Sequence, residues 1–430
     1  MDCSGLLDTM MTRAFCKIKA FLVISLSGLL ACYPAMSQTG VNSPYSRYGI
    51  GMLSDQSTGI AKSMGGIGAG FVMPNTLNFK NPASFAMIDT LTFVADLGFA
   101  LQNGNFSENG VSINARNASI SHMAMQFRLL PKVGMAVGFL PFSNIGYEYS
   151  GTELVRRDED GEIKAFNSYS GTGGLRQVVV GLGWRTSKRL YLGLNASYLM
   201  GDLSHKISST YSSSLVQSRT KTYSADLSAF KLDLGVQGVL PVGGNDLVLG
   251  VTFSPAMNAK SNATIVDAHS SSDTTVVSDA FSFPDLMSAG FTYKWKNMMI
   301  GADVSYQFWS KAAFFGQKTG LDRLSAAAGF MIRPDEDSKN ILKRSSYQIG
   351  ANFSQPYFDT GKGKGPMQFG VSAGISVPFT TSYNSMSHLH VSGEFVRVQP
   401  AEKWMVTENY FRLNLAVTFM ERWFMKIMVD

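Results

Sequence analysis

Downstream of residue 32 the chain has no cysteine: Cys3, Cys16 and Cys32 are the three it contains among 430 residues. That excludes a disulfide framework, a thiolate metal site and a cysteine nucleophile from the bulk of the protein. Charge is scarce too, at 16% of residues, and no Lys/Arg cluster is interleaved with aromatics, so a nucleic-acid surface is a poor reading. Mean hydropathy is barely above neutral, which argues against helical membrane spans. What remains is a chain rich in aromatics (12%) and glycine (42 residues) that must gain its stability from a closed sheet or a large core.

The N-terminus reads as a targeting segment. Arg13, Lys17 and Lys19 precede the apolar run Ala20 to Ala31, and Ala35-Met36-Ser37 supplies small residues for cleavage before Gln38. Residues 1–37 are therefore assigned as a signal peptide. Leu29-Leu30-Ala31-Cys32 also has the form of a lipobox, which would instead leave a lipidated Cys32.

From Leu91 onward the dominant period is two. Leu91, Phe93, Ala95, Leu97, Phe99 and Leu101 share one face, against Thr92, Val94, Asp96, Gly98 and Ala100 on the other. The same alternation recurs at 190–200, 230–237 and 410–419. The second face carries mostly Gly, Ser, Asn and Gln with isolated charges, and aromatics gather at the ends of the apolar face. Those are the marks of a transmembrane β-barrel whose apolar face meets lipid. Fourteen candidate strands fall near 91–102, 118–130, 133–148, 173–185, 189–203, 222–240, 246–258, 283–295, 298–309, 321–333, 346–358, 366–379, 387–399 and 409–420. Tight turns such as Pro131-Lys132 and Lys296-Asn297 alternate with polar loops at 151–170, 204–221 and 258–279, as short periplasmic turns and long outer loops do in the outer membrane. The expected fold is all-β, an antiparallel barrel over 91–430.

No strand is expected before Leu91. Residues 38–90 hold Gly49, Gly51, Gly59, Gly65, Gly66, Gly68 and Gly70, a density that suits turns and tight backbone packing. Such a segment at the inner end of a wide barrel is expected to fold into the lumen as a hatch.

The Gly-rich N-terminal segment, the triplet Asn81-Pro82-Ala83 before the first strand and the aromatic closing strand, continued by Trp423-Phe424, together resemble the FadL/TodX-type outer-membrane transporters of hydrophobic compounds. Phrases such as Ser43-Pro44-Tyr45-Ser46-Arg47-Tyr48-Gly49 mark a divergent branch. The resemblance implies a fourteen-stranded barrel in the bacterial outer membrane, blocked by a hatch whose Asn-Pro-Ala segment meets the wall. It also implies capture of a fatty-acid-like ligand at an outer hydrophobic site and lateral exit at a kink in the third strand. Asn81, Pro82 and Ala83 are assigned as a stiff, non-helical hinge between hatch and wall. The third strand contains Phe139-Leu140-Pro141-Phe142, and proline has no N–H to give to a ladder. Pro141 therefore marks either the strand's outer end or an interruption, with Phe139, Pro141 and Phe142 as its lateral gate.

Other signals carry less. Gly370-Val371-Ser372-Ala373-Gly374 has the nucleophile-elbow spacing but lies in mid-strand, not at a strand-to-helix turn. His388 and His390 share a strand face with no third ligand in sight, and the acidic runs at 158–162 and 335–337 lack the spacing of a Ca²⁺ loop. Asp96, Lys231, Asp233, Asp303, Glu394 and Arg412 fall on inward faces and are read as hatch-to-wall ion pairs or as a polar conduction path. No catalytic, cofactor or metal site is expected. The expected partners are outer-membrane lipid, lipopolysaccharide and a hydrophobic ligand. Members of this fold that act as non-transporting subunits of secretion or assembly complexes supply the alternative, with protein partners.

Overall fold

The computed structural model describes residues 41–422, apart from 109, 159–160, 214–215, 270–271, 279, 336–337, 361–362, 381–385 and 403–404. The signal segment 1–37, the start of the 38–90 segment, Trp423-Phe424 and the centres of both acidic runs lie outside the described residues.

Fourteen wall strands close into one antiparallel barrel. They are β1 (Thr92–Glu108), β2 (Val111–Leu130), β3 (Val133–Pro141 and Ser143–Asp158), β4 (Gly161–Arg185), β5 (Leu190–Tyr211), β6 (Arg219–Val242) and β7 (Asn245–Ser254 and Met257–Ala268). The second half comprises β8 (Ser272–Val277, Phe281–Phe283 and Leu286–Trp295), β9 (Met298–Gln307), β10 (Arg323–Ile332), β11 (Ser346–Ser354), β12 (Met367–Thr380), β13 (Met386–Gln399) and β14 (Thr407–Arg422). β14 pairs with β1 from Arg422 opposite Thr92 to Thr407 opposite Ser107, which leaves the sheet without an edge at its closure.

The alternation does what the sequence predicts. Along β1 the even-numbered residues from Thr92 to Gly98 are buried, while Phe99 and Leu101 stay exposed on the outside. Large apolar side chains such as Phe230, Val251, Ile349, Val371 and Phe411 are likewise solvent-exposed in the isolated chain, the condition of a surface made for lipid.

Two expectations are corrected. The polar segments at 151–170, 204–221 and 258–279 are not loops but extensions of β3–β4, β5–β6 and β7–β8. These extensions are rich in Ser, Thr and charged residues, so the apolar alternation vanishes while the backbone ladder continues. The stretch before Leu91 also holds a strand, the pair Met52–Leu53, with a helical turn at Gly59–Ser63 and a 3₁₀ helix at Pro82–Met87.

Residues 41–91 pack against the inward faces of the wall. Phe71, Phe85, Ile67 and Ile88 are fully buried, each worth about 1.5–3 kcal/mol by apolar burial. Where this segment crosses the wall, the wall carries glycine. Gly134 pairs with Gly183, Gly183 with Gly193 and Gly193 with Gly235, so four adjacent strands present one row with no side chains. Gly250 with Gly290, and Gly301 with Gly329 and Gly350, continue it around the barrel. A Cβ on Gly193 would overlap the Pro82–Ala83 peptide, and one on Gly350 the Met64–Gly65 peptide.

Beside the glycines stand amides and hydroxyls that satisfy the irregular backbone. Asn195 Nδ2 donates to Phe79 O at 2.9 Å, Gln126 Nε2 to Phe85 O at 3.1 Å, and Thr292 Oγ1 to Gly70 O at 2.8 Å. Ser372, centre of the false nucleophile elbow, donates to Ser63 O at 2.9 Å and accepts from Gly65 N at 3.1 Å. The small-polar inward face thus meets backbone groups that the segment's own turns leave unpaired.

Gly350→Leu should overfill this contact at a cost of about 1–3 kcal/mol. Limited proteolysis should then cut within 41–91 while the barrel keeps its heat-modifiable migration; a fully protected segment would contradict the assignment.

Candidate functional site

Pro141 breaks the wall on one side only. Pairing between β2 and β3 runs from Leu130 opposite Val133 to Met123 opposite Phe139 and stops. Pairing between β3 and β4 continues to Pro141 opposite Arg176 and resumes at Ile145 opposite Gly173. The upper part of β3 therefore stays on β4 and leaves β2, whose residues from Val111 to His122 keep β1 as their one ladder neighbour.

Local chemistry explains the bend. Pro141 has no N–H, and across from it Gly173 and Gly174 take φ of 121° and 137°, a conformation that side chains disfavour. The freed edge of β3 does not stay bare. Met52 and Leu53 pair with Asn144 and Ser143, Ser54 N donates to Phe142 O at 3.0 Å, and Gln56 Nε2 donates to Pro141 O at 2.8 Å. Inside the bend, Phe142 meets Phe283 edge-on at 5.7 Å. Phe139 alternates with the buried Gly138 and Leu140 and so faces outward. Sequence reading found Pro141 and its flanks but missed Met52, Leu53, Gln56, Gly173 and Gly174, which carry no signal until the register is known.

The outer half of the lumen is filled. Trp309, Phe314, Tyr357 and Phe358 reach in from the β9–β10 and β11–β12 connections and join Phe281, Phe283, Ile145 and Tyr147. Trp309 lies 4.7 Å from Tyr357, whose hydroxyl accepts from Ile50 N at 3.2 Å and so ties the outer connections to the N-terminal segment. Arg47 extends its guanidinium over the Tyr169 ring at 4.1 Å and donates to Tyr149 Oη at 3.1 Å. At the opposite, short-turn end lies a cavity of about 820 Å³.

Asn81 caps the 3₁₀ helix at Pro82–Met87 through its side chain, accepting from Ala83 N at 3.1 Å, so the triplet opens a helical turn where a non-helical one was expected. Asn81, Pro82 and Ala83 are buried against Gly193 and Gly235, well inside the wall.

The inward charges mostly pair along the wall itself. Lys231 bonds Asp233 on the same strand, and Arg412 lies 3.5 Å from Glu394 on the neighbouring strand while donating to Gln102 at 2.7 Å. Asp96 faces His122 at 3.1 Å and accepts from Thr418 at 3.1 Å. Thr418 also meets His390 at 3.0 Å, and among the described residues no His, Cys, Asp or Glu group is placed to hold a metal. Asp303 reaches the segment directly, accepting from the N–H groups of Gly68 and Ala69. The segment's own ion pair, Lys80–Asp55 at 2.7 Å, is internal; burial would push the Asp55 carboxyl up, but Lys80 and Lys62 hold it down at about 2.

The closed fourteen-strand barrel with a broken third strand and a filled outer lumen is the fold shared with FadL-type outer-membrane β-barrels. Similar solved structures include the Pseudomonas putida toluene transporter TodX (TM-score 0.60, 13% identity, 86% of this chain and 100% of that one). The Ralstonia pickettii toluene transporter TbuX gives 0.59 at 12% (86% and 99%), and a Pseudomonas aeruginosa FadL homologue 0.57 at 10% (86% and 99%). No curated protein matches in sequence. The BamG family model matches residues 17–430, and the chain belongs to that family.

Asp303→Ala leaves two backbone donors without their acceptor, a loss of about 1–3 kcal/mol; amide exchange across 66–71 should accelerate, and unchanged protection would refute the role. Because the Asp55 carboxyl is depressed, its stabilisation is full above its unfolded range near pH 4 and is lost as pH falls toward 2. Protease protection of 41–91 should follow that course, and Asp55→Asn should flatten it.

Proposed function

We propose that this barrel passes hydrophobic, fatty-acid-like small molecules across the outer membrane and releases them sideways at Pro141. The observation that carries the reading is the one-sided break, where β2 and the upper part of β3 part company and Met52–Leu53 occupy the freed edge. Residues 38–90 act as the hatch, with Asn81, Pro82 and Ala83 anchoring it to the glycine row. Phe139, Pro141 and Phe142 form the gate, Phe142 from the lumen side and Phe139 from the lipid side. Ligand taken by the aromatic interior is held by apolar burial. Opening then requires that the pairing at 52–53 give way together with the Ser54, Gln56 and Ser46 contacts to β3, while the β3–β4 ladder persists. That similar structures include toluene transporters supports a hydrophobic substrate.

A second reading is favoured by a different observation. The outer lumen is packed with interlocked aromatic side chains, and the family is Bam-related, as suits a non-transporting subunit of an outer-membrane assembly complex.

Leu53 and Ser143 are direct cross-strand neighbours, at a separation that suits a disulfide, and the chain has no cysteine after Cys32. Leu53→Cys with Ser143→Cys should, when oxidised, abolish uptake of a fluorescent long-chain fatty acid into proteoliposomes and restore it on reduction. Equal flux in both states refutes the gate. Absence of flux in the wild type, with a protein partner retained in mild detergent, favours the second reading.

A further inference from the structure

The cavity of about 820 Å³ at the short-turn end takes no part in the passage just described, because a ligand that leaves sideways never enters it. In outer-membrane barrels that end faces the periplasm. Its mouth is basic. Lys188 and Arg189 come from the β4–β5 turn, Lys294 from the end of β8 opposite Asp246, Lys296 from the β8–β9 turn, and Arg333 follows the end of β10. Lys188, Arg189, Lys294 and Lys296 are exposed and make no ion pair among the described residues. Two carboxylates line the same space. Asp96 is committed to His122 and Thr418, which leaves Asp246 facing the mouth.

The walls behind the basic mouth are methionine. Met73, Met299, Met331 and Met420 line the cavity, and Met299 and Met331 pack on Ile60 and Phe71 of the N-terminal segment. Methionine is unbranched and polarizable, so such a surface adapts to apolar side chains of varied shape. The cations are spread over three separate connections. One small carboxylate engages a single site of that ring, whereas an extended chain with several acidic residues can satisfy the ring while placing apolar side chains on the methionines.

We propose that this vestibule is the docking site for an acidic peptide segment, with interspersed apolar residues, of a periplasmic protein. The site holds whether or not the barrel passes a ligand, since none of its residues belongs to the break at Pro141. Attraction of this kind is long-ranged at low salt and screened within about 8 Å at physiological ionic strength, so binding should weaken steeply as salt rises.

The experiment uses the full barrel in lipid nanodiscs and short dansylated peptides alternating Glu, Gln or Lys with Leu. The Glu peptide should bind at least about tenfold more tightly than the Gln peptide, a difference of about 1.4 kcal/mol. Lys294→Glu with Lys296→Glu should erase that preference and raise affinity for the Lys peptide, with heat-modifiable migration confirming that the variant folds. The oxidised Leu53→Cys/Ser143→Cys barrel should bind the Glu peptide as the wild type does, which separates this site from the transport reading. Equal affinity for Glu and Gln peptides, or a charge reversal without effect, overturns the proposal. Saturation of the cavity by decanoate with no peptide binding overturns it as well.

Discussion

A closed barrel of fourteen strands is wide enough to admit a chain, but the admitted chain must lie against the wall with its own backbone, since an irregular segment has few side chains to spare for spacing. Everything inside depends on that approach. Peptide planes of 64–65, 69–70 and 82–86 touch the wall where glycine stands in register on neighbouring strands. Between the glycines, Asn, Gln, Ser and Thr side chains complete the hydrogen bonds that the segment cannot make internally. Burying polar backbone is tolerable only when its donors and acceptors are met, and here the wall meets them. Specific placement of the segment in turn fixes Met52–Leu53 at the freed edge of β3.

The break and the filled lumen follow from the same economy. A proline in a closed sheet has no edge on which to hide, so the strand must bend, and the bend exposes backbone that something else must cover. Short-range coverage by two residues of pairing, one serine N–H and one glutamine side chain is modest compared with a full ladder. The covered edge is thus held by fewer backbone bonds than a full strand pair supplies. β7 shows the contrast: it also interrupts at Pro255-Ala256, but Ala256 N is taken by Asp285 at 2.7 Å and the strand resumes pairing with β6 at Lys260 opposite Ser228.

Legibility in the sequence divides along a physical line. All fourteen strands are readable because lipid on one side and a polar interior on the other impose period two, as in Phe93, Ala95, Leu97 and Phe99. Pro141 is readable because its chemistry is local. The outer hairpins near 151–170 are not, since their polar and charged residues carry no apolar alternation. The turn at 59–63 and the pairing of Met52–Leu53 carry no such signal, whereas the turn at 82–87 has a local one, Asn81 as cap followed by Pro82, that the non-helical reading passed over. The inward charges were legible as to face but not as to partner. Lys231 and Asp233 find each other two residues apart, and Asp303 binds amides in place of a cation.

The N-terminal segment spans the barrel from one end to the other. Ser43 is bound to Glu408 at the outer end of β14 by a hydrogen bond of 2.7 Å, whereas the segment joins β1 at the inner end, beside Thr92. The segment thus runs the height of the barrel before the first strand begins. The ladder between β14 and β1 encloses the segment along this path. The glycine row gives the segment room against the wall, and the β14–β1 ladder completes the wall around it.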